Sequence, residues 1–225
     1  RFSLNTFEIL YNLSNEGEHI TKEKLLSLSL GNFKNYDKDG DAFYDIISAF
    51  QKSIRGSDVD ASLYYLALLI DSGDLDTIYR RMSVIAYEDI GLANPNIGPF
   101  VHAAIESAKM LGLPEARIPL ANAVIQLALS VKSNTAITAI DSALSEIKTN
   151  PKFVIPDHLR DSHYYGADKL NRGVGYKYPH SHPSGYIKQQ YLPDNLVGRA
   201  FYTPKTNNKN EQNLAQYKKF VDNSK

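Results

Sequence analysis

Residues 57–91 read Ser-Asp-Val-Asp-Ala-Ser-Leu-Tyr-Tyr-Leu-Ala-Leu-Leu-Ile-Asp-Ser-Gly-Asp-Leu-Asp-Thr-Ile-Tyr-Arg-Arg-Met-Ser-Val-Ile-Ala-Tyr-Glu-Asp-Ile-Gly. The stretch reads as two helices joined by a tight turn. Ser57 is the expected N-cap, with Asp58 and Asp60 placing negative charge in the first turn. Leu63, Leu66, Ala67 and Ile70 recur at three- and four-residue spacing and form a core stripe. Ser72-Gly73 stops the first helix, because glycine tolerates a left-handed C-cap. Asp74 starts the second helix, whose buried line is Leu75, Ile78, Met82, Ile85 and Ala86. Arg80, Arg81, Glu88 and Asp89 are left over, either as a solvated face with weak ion pairs or as a functional cluster.

Helical spacing continues on both sides. Residues 2–14 carry Phe2, Leu4, Phe7, Ile9, Leu10 and Leu13, and 21–30 reads as a second short helix. A polar loop follows over 31–42. Its Asp37-Lys-Asp39-Gly-Asp41 resembles the start of a calcium loop but lacks the glycine at loop position 6 and the glutamate at position 12, where Ala42 and Ser48 stand. A helix over 43–55 buries Phe43, Ile46, Ile47 and Phe50. Beyond Asn94-Pro95, helices are expected over 99–111, 115–131 and 133–148. Residues 120–129 are apolar almost all round, as in a helix buried in a core or a subunit interface. The 133–148 helix is rich in small residues that permit close approach. The interface candidates are therefore Leu120, Val124, Ile125, Leu127, Ala136, Ala139 and Ile140.

From Pro151 the texture changes to prolines and aromatics, including Tyr164, Tyr165, Tyr176, Tyr178, Tyr186, Tyr191, Phe201 and Tyr202. Such a segment is expected to be ordered but irregular, wrapped on the helices with its Tyr rings buried, since disordered segments lack aromatics. A last helix over 211–222 is expected to turn Leu214, Tyr217, Phe220 and Val221 inward. No strand alternation is visible before residue 150. The reading is all-α: a helical bundle of about seven to nine helices, divided as 1–40, 41–150 and 151–225.

The formal net charge is zero, but residues 1–150 hold 13 basic against 19 acidic side chains and residues 151–225 hold 12 against 6. An acidic body with a basic tail suits nucleic-acid contact or association between unlike surfaces. The absence of Cys removes disulfides and thiolate zinc sites and fits a cytoplasmic protein. No apolar run reaches membrane-span length, so no membrane partner is expected. The Arg1-Phe2-Ser3 start, with no Met and no leader pattern, is expected of a fragment.

Ile54-Arg-Gly-Ser-Asp-Val-Asp-Ala61, Arg80-Arg81 and Tyr87-Glu-Asp-Ile-Gly-Leu-Ala93 resemble the C-terminal region of the RarA/MgsA family. These AAA+ ATPases maintain replication forks and are similar to the Werner helicase-interacting protein. Gly173-Val-Gly-Tyr-Lys-Tyr-Pro-His180, Gly185-Tyr-Ile-Lys-Gln-Gln-Tyr-Leu-Pro193 and Leu196-Val-Gly-Arg-Ala-Phe-Tyr202 extend the likeness, as does the stretch from Pro114-Glu115 to Pro156-Asp-His-Leu-Arg160. Where the family has Pro-Lys-Ser-Asn, this chain has Val131-Lys-Ser-Asn134. The resemblance makes residues 1–40 the remnant of an AAA+ helical lid and 41–150 an oligomerisation domain. It implies a homotetramer that acts in DNA replication, recombination and repair at stalled forks. It also implies contact with single-stranded or forked DNA, with single-stranded DNA-binding protein and with replisome components, in the cytoplasm at the nucleoid. Arg1 resembles the last residue of a sensor-2 motif and would reach ATP only in the intact protein. ATP and Mg belong to that intact parent. This chain lacks a Gly-x-x-x-x-Gly-Lys-Ser/Thr loop and an acidic pair after an apolar strand, so it is expected to hold no cofactor and to hydrolyse no ATP by itself.

Two other readings compete. Lys169, Arg172, Lys177, Lys188 and Arg199 interleave with Tyr residues, a mixture that suits single-stranded nucleic acid through backbone charge and base stacking. That would make the chain a monomeric DNA-binding module, provided the rings are exposed. A stand-alone helical enzyme would use Arg81 with Glu88, or His180 with His182. The histidines have no acidic partner at a recognisable ligand spacing, so no metal site is assigned.

Overall fold

The computed structural model describes residues 41–163, 165, 170 and 172–224, with Tyr11, Ser14, Glu18, His19, Thr21 and Lys22. The helices expected over 2–14 and 21–30, the loop up to residue 40 with its calcium-like run, Arg1 and Lys169 lie outside the described residues. Among the described residues there are seven α-helices and no strand, so the fold is all-α. They are α1 (Asp41–Arg55), α2 (Val59–Asp71), α3 (Leu75–Ile85), α4 (Ile97–Leu111), α5 (Arg117–Leu129), α6 (Thr135–Thr149) and α7 (Lys209–Asn223). The chain divides into two compact units, residues 1–85 with 99–129 and residues 86–98 with 130–225.

The first unit is built by apolar burial. Phe43, Ile46, Ile47, Phe50 and Ile54 line the inner side of α1, at the spacing of one helical face. Helix α2 packs against α1, α3 and α5 and is the centre of the unit. Its N-cap is Asp58 rather than Ser57: the Asp58 carboxylate accepts from Ala61 N at 2.9 Å. Ser57 adopts a left-handed φ of 62°, a conformation in which it cannot cap. The buried face is also rotated from the expected stripe. Ser62, Leu66 and Leu69 are buried, whereas Ala67 is exposed. Leu63, Ala67 and Ile70 instead line a groove of about 540 Å3 against Arg117, Ile118 and Ala121 of α5.

The turn into α3 is as expected. Gly73 takes φ 75°, and Asp74 caps α3 by accepting from Thr77 N at 3.1 Å and from its hydroxyl at 2.9 Å. Ile78, Met82 and Ile85 are wholly buried, with Tyr79 beside them. Burial first, and the Asp76 charge second, raise the Tyr79 phenol above its ordinary value. The Lys109 ammonium of α4 sits 5.7 Å from the ring centre of Tyr79. On α4, Val101, Ala104, Ile105 and Ala108 are buried, while Leu111 is exposed at the C-terminus. Helix α5 buries Leu120, Ala123, Val124, Leu127 and Ala128, so its nearly continuous apolar sequence serves the core on one side.

The second helix of the opening stretch does not continue to Gly91 as an α-helix. Residues Ala86–Ile90 form a π-helical turn, followed by a 3-10 turn over Gly91–Ala93. The extra residue per turn frees the Asp89 carbonyl, which accepts from Ser133 N at 2.7 Å. Gly91 has φ 44°, and a Cβ there would stand 3.2 Å from Ser133 O, so the close approach requires glycine. The second unit otherwise comprises α6, α7 and a largely irregular chain with 3-10 turns at Asp157–Leu159, Pro179–Ser181 and Asp194–Leu196.

Phe50→Ala should lower unfolding stability by about 3–5 kcal/mol, the cost of a core cavity. Lys52→Ala, on the exposed side of the same helix, should change it by less than about 0.5 kcal/mol. Urea unfolding of both variants measures the contrast.

Candidate functional site

The second unit is held by a buried carboxylate. Glu211, in the first turn of α7, has no solvent access. Its Oε1 accepts from the Thr135 hydroxyl at 2.6 Å and from Lys205 N at 3.3 Å. Its Oε2 accepts from Asn208 Nδ2 at 2.8 Å, and Glu211 N donates back to Asn208 Oδ1 at 2.8 Å. Asn208 thus caps α7, and the Glu211 carboxylate returns the contact through the Asn208 side-chain amide while also reaching the start of α6. Burial alone would raise this carboxyl. Hydrogen bonds from Ser133, Thr135, Asn208 and Lys205 outweigh it and hold the group below the ordinary carboxylate range. The buried Tyr202 hydroxyl stands beside it outside good hydrogen-bond geometry, and burial first, then the Glu211 charge, raise that phenol. Asn210 Nδ2 donates to Leu92 O at 2.7 Å, and Lys205 Nζ donates to Asn134 Oδ1 at 2.8 Å. The helix expected over 211–222 starts earlier, with Asn208 as its N-cap; Asn208 with Glu211 three residues on is the local signal for that start, and nothing local showed that the carboxylate would be shared with α6.

Around this anchor the tail segments form a cleft of about 850 Å3, bounded by residues 188–192, residues 197–202 and the α7 side chains Lys218 and Asp222. It brings together Lys188 and Arg199, two of the expected DNA-contacting cations, and adds Lys218. Arg199 Nε lies 3.3 Å from Glu146 of α6, and its guanidinium carbon lies 5.8 Å from the Phe201 ring centre. Lys218 pairs with Asp222 at 2.5 Å. The Lys218–Asp222 pair is open to solvent and worth less than about 1 kcal/mol, whereas the half-exposed Arg199 covers a Glu146 that is largely buried. Lys177 is exposed and flanks this region, its backbone fixed by Gln189, which accepts from Lys177 N at 3.1 Å and donates to Lys177 O at 2.7 Å. The same Gln189 amide donates to the Tyr191 hydroxyl at 2.7 Å. Arg172 is half-buried on the preceding turn.

Tyr186, Phe201 and Tyr202 are half-buried, but three other rings of the tail are not buried as expected. Tyr176, Tyr178 and Tyr191 are 45%, 57% and 49% exposed. On α7 the expected inward face is likewise corrected: Leu214, Tyr217 and Phe220 are exposed and Glu211 takes the interior. The tail offers too little helix to cover them; Phe220 instead meets Tyr186 edge-on at 5.7 Å.

The interface candidates separate into two groups. Leu120, Val124 and Leu127 are wholly buried within the first unit and present no surface. Ile125 is partly exposed there. On α6, Ala136 is exposed and Ala139 half-buried. Ile140, Leu144 and Ile147 are 55%, 48% and 58% exposed and share one face by their spacing of four and three residues. Exposed Phe153, Val154 and Ile155 follow in sequence.

Of the histidines, His180 meets the Tyr178 ring at a tilt of 51° with ring centres 5.2 Å apart, and His158, outside the enzyme reading, donates from Nε2 to Gln190 O at 2.8 Å. Among the described residues no group of three or more His, Asp or Glu side chains is placed to hold a metal. Arg81 is half-buried, its Nε lacking a hydrogen-bond partner.

Comparison with known proteins fits this architecture. The family model described as MgsA AAA+ ATPase C terminal matches residues 56–221. The chain belongs to this family. A second model, an AAA C-terminal domain, matches residues 1–55. The chain is 54% identical over 220 residues to the replication-associated recombination protein A of Bacillus subtilis, covering 96% of this chain and 52% of that protein. It is 37% identical to the protein of the same name from Coxiella burnetii (91% of this chain, 48% of the relative) and 34% identical to that of Escherichia coli K12 (91% and 47%). The chain therefore spans about half the length of the curated relatives it matches. Among the described residues no helix is long and apolar enough to cross a membrane.

Thr135→Val keeps the shape and removes one hydrogen bond to a buried charge, so it should cost about 1.5–3 kcal/mol in urea unfolding. The Glu211 carboxyl is held low in the folded chain. Its stabilisation is therefore full above about pH 4.3 and is lost as pH falls through the lower folded value. Thermal unfolding should show Glu211→Gln less stable at neutral pH, with a smaller stability loss on acidification than the parent chain.

Proposed function

We propose that this chain is the assembly and DNA-association region of a RarA-like AAA+ ATPase that acts in DNA replication, recombination and repair at stalled forks. The observation that carries the assembly role is the exposed apolar face of α6, formed by Ile140, Leu144 and Ile147. Scattered exposed apolar residues are ordinary, but a line of three on one helix face marks a contact surface. The occupant of that face is a second copy of the chain, and the assembly is a homotetramer. The naming of the relatives as replication-associated recombination proteins supports the setting. The DNA role rests on the charge of residues 151–225, a net +6, and on half-exposed Tyr rings among Lys177, Lys188 and Arg199.

In this reading ATP and Mg are handled by the remainder of the parent protein, with Arg1 contributing a sensor-2 contact to the nucleotide. Single-stranded DNA-binding protein and replisome components are partners of the assembled protein at the nucleoid in the cytoplasm. A tetrameric platform repeats a weak DNA site and raises the apparent affinity through effective concentration.

Light scattering of the chain across a dilution series tests the assembly. The parent chain should keep the mass of four copies. An Ile140→Glu, Leu144→Glu double variant should fall to a smaller species with unchanged helicity by circular dichroism. A parent chain that is monomeric throughout, or a variant that keeps the parent mass, overturns the role of α6.

A further inference from the structure

We infer that the cleft between residues 188–192, residues 197–202 and Lys218 seats single-stranded nucleic acid, with the phosphates on Lys188, Arg199 and Lys218 and a base stacked on Tyr191. This rests on the DNA-association half of the reading above and assigns it a place. Three observations carry it. The cleft holds about 850 Å3, room for a nucleotide unit rather than a bare ion. Its cations reach it from three separate stretches of chain and outnumber its carboxylates: Lys188 is exposed, Arg199 shares Glu146, and Lys218 shares Asp222. The Lys218–Asp222 pair is open on both sides, and the Arg199 side chain is 52% exposed above a largely buried Glu146, so a phosphate can reach both cations from solvent. Finally, the Tyr191 ring is half exposed while its hydroxyl is held by Gln189 Nε2 at 2.7 Å. A ring fixed in this way offers a face with little ordering left to do.

The chemistry favours nucleic acid over an acidic peptide. A peptide supplies carboxylates that merely exchange for Glu146 and Asp222, whereas nucleic acid supplies both a phosphate chain and flat bases for the ring. A single strand fits better than a duplex, because bases stacked inside a helix present no free face to a side chain.

The test uses the 225-residue chain and fluorescence anisotropy of a labelled oligothymidine, with an abasic oligomer of equal length, inorganic polyphosphate and polyglutamate as competitors. Tyr191→Leu should weaken oligothymidine binding by about 5- to 150-fold, the range for loss of one stacked base, and leave abasic binding unchanged. Tyr191→Phe should bind as the parent does. Lys188→Gln should reduce the slope of log affinity against log salt by about 0.7, as for one lost single-strand phosphate contact. If the parent binds oligothymidine and neither Tyr191→Leu nor Lys188→Gln changes it, the cleft is not the seat, although DNA association stands. If polyglutamate competes as well as oligothymidine, with the same dependence on Tyr191, the cleft takes acidic peptides and the inference is overturned. If the parent binds no DNA, both the seat and the DNA-association reading fall, and the assembly role is unaffected.

Discussion

The second unit depends on one buried charge. A carboxylate without solvent access costs several kcal/mol unless its lone pairs are satisfied, and Glu211 meets that cost with donors from four residues. Those donors come from the start of α6 and the approach to α7, more than seventy residues apart in sequence. The start of α7 is therefore fixed to the start of α6. The irregular chain between them is constrained at both ends, a segment whose repeated prolines and glycines would otherwise leave it little regular structure.

The two units are stabilised by different physics. In the first, α1, α2, α3 and α5 bury long rows of Ile, Leu, Phe and Met, and the hydrophobic effect suffices. In the second, few large apolar side chains are buried. Order comes from the Glu211 cluster, from Asn210 on Leu92 O, from Ser133 on Asp89 O and from Gln189 bridging Lys177 to Tyr191. A unit organised by polar ties can leave its aromatic rings and the apolar side of α6 outside. Those surfaces are then available for contact, and the burial that they lack within one chain is what makes association plausible on energetic grounds.

Lys132 illustrates the same economy of polar groups. Burial lowers its ammonium, and the nearby Asp89 charge opposes that shift. Its Nζ donates to Ser130 O at 2.6 Å, so the charge helps shape the chain leading into α6. The π-helical turn at Ala86–Ile90 supplies the Asp89 carbonyl for the same region. A departure from α-geometry at one place thus sets the entry to a helix some forty residues later.

Much of the all-α reading was legible because helix formation is local. Periodicity located the helices to within a few residues except at the end of α3, and Gly73 and Asp74 marked the turn between α2 and α3. The family likeness was also legible, since motifs such as Tyr87–Ala93 and Gly185–Pro193 are contiguous. What a helix face meets is not local. Apolar content alone could not show that Leu120, Val124 and Leu127 would be spent inside one chain while Ile140, Leu144 and Ile147 stayed outside. It could not show that Asp58 would displace Ser57 as the cap of α2, or that the Tyr rings would stay half open. By itself the sequence determined which segments are helical and to which family they belong, because both depend on neighbouring residues. The tertiary structure alone decided that Glu211 is the interior anchor and that Lys188, Arg199 and Lys218 share a cleft, because burial and proximity depend on what distant segments bring to the same place.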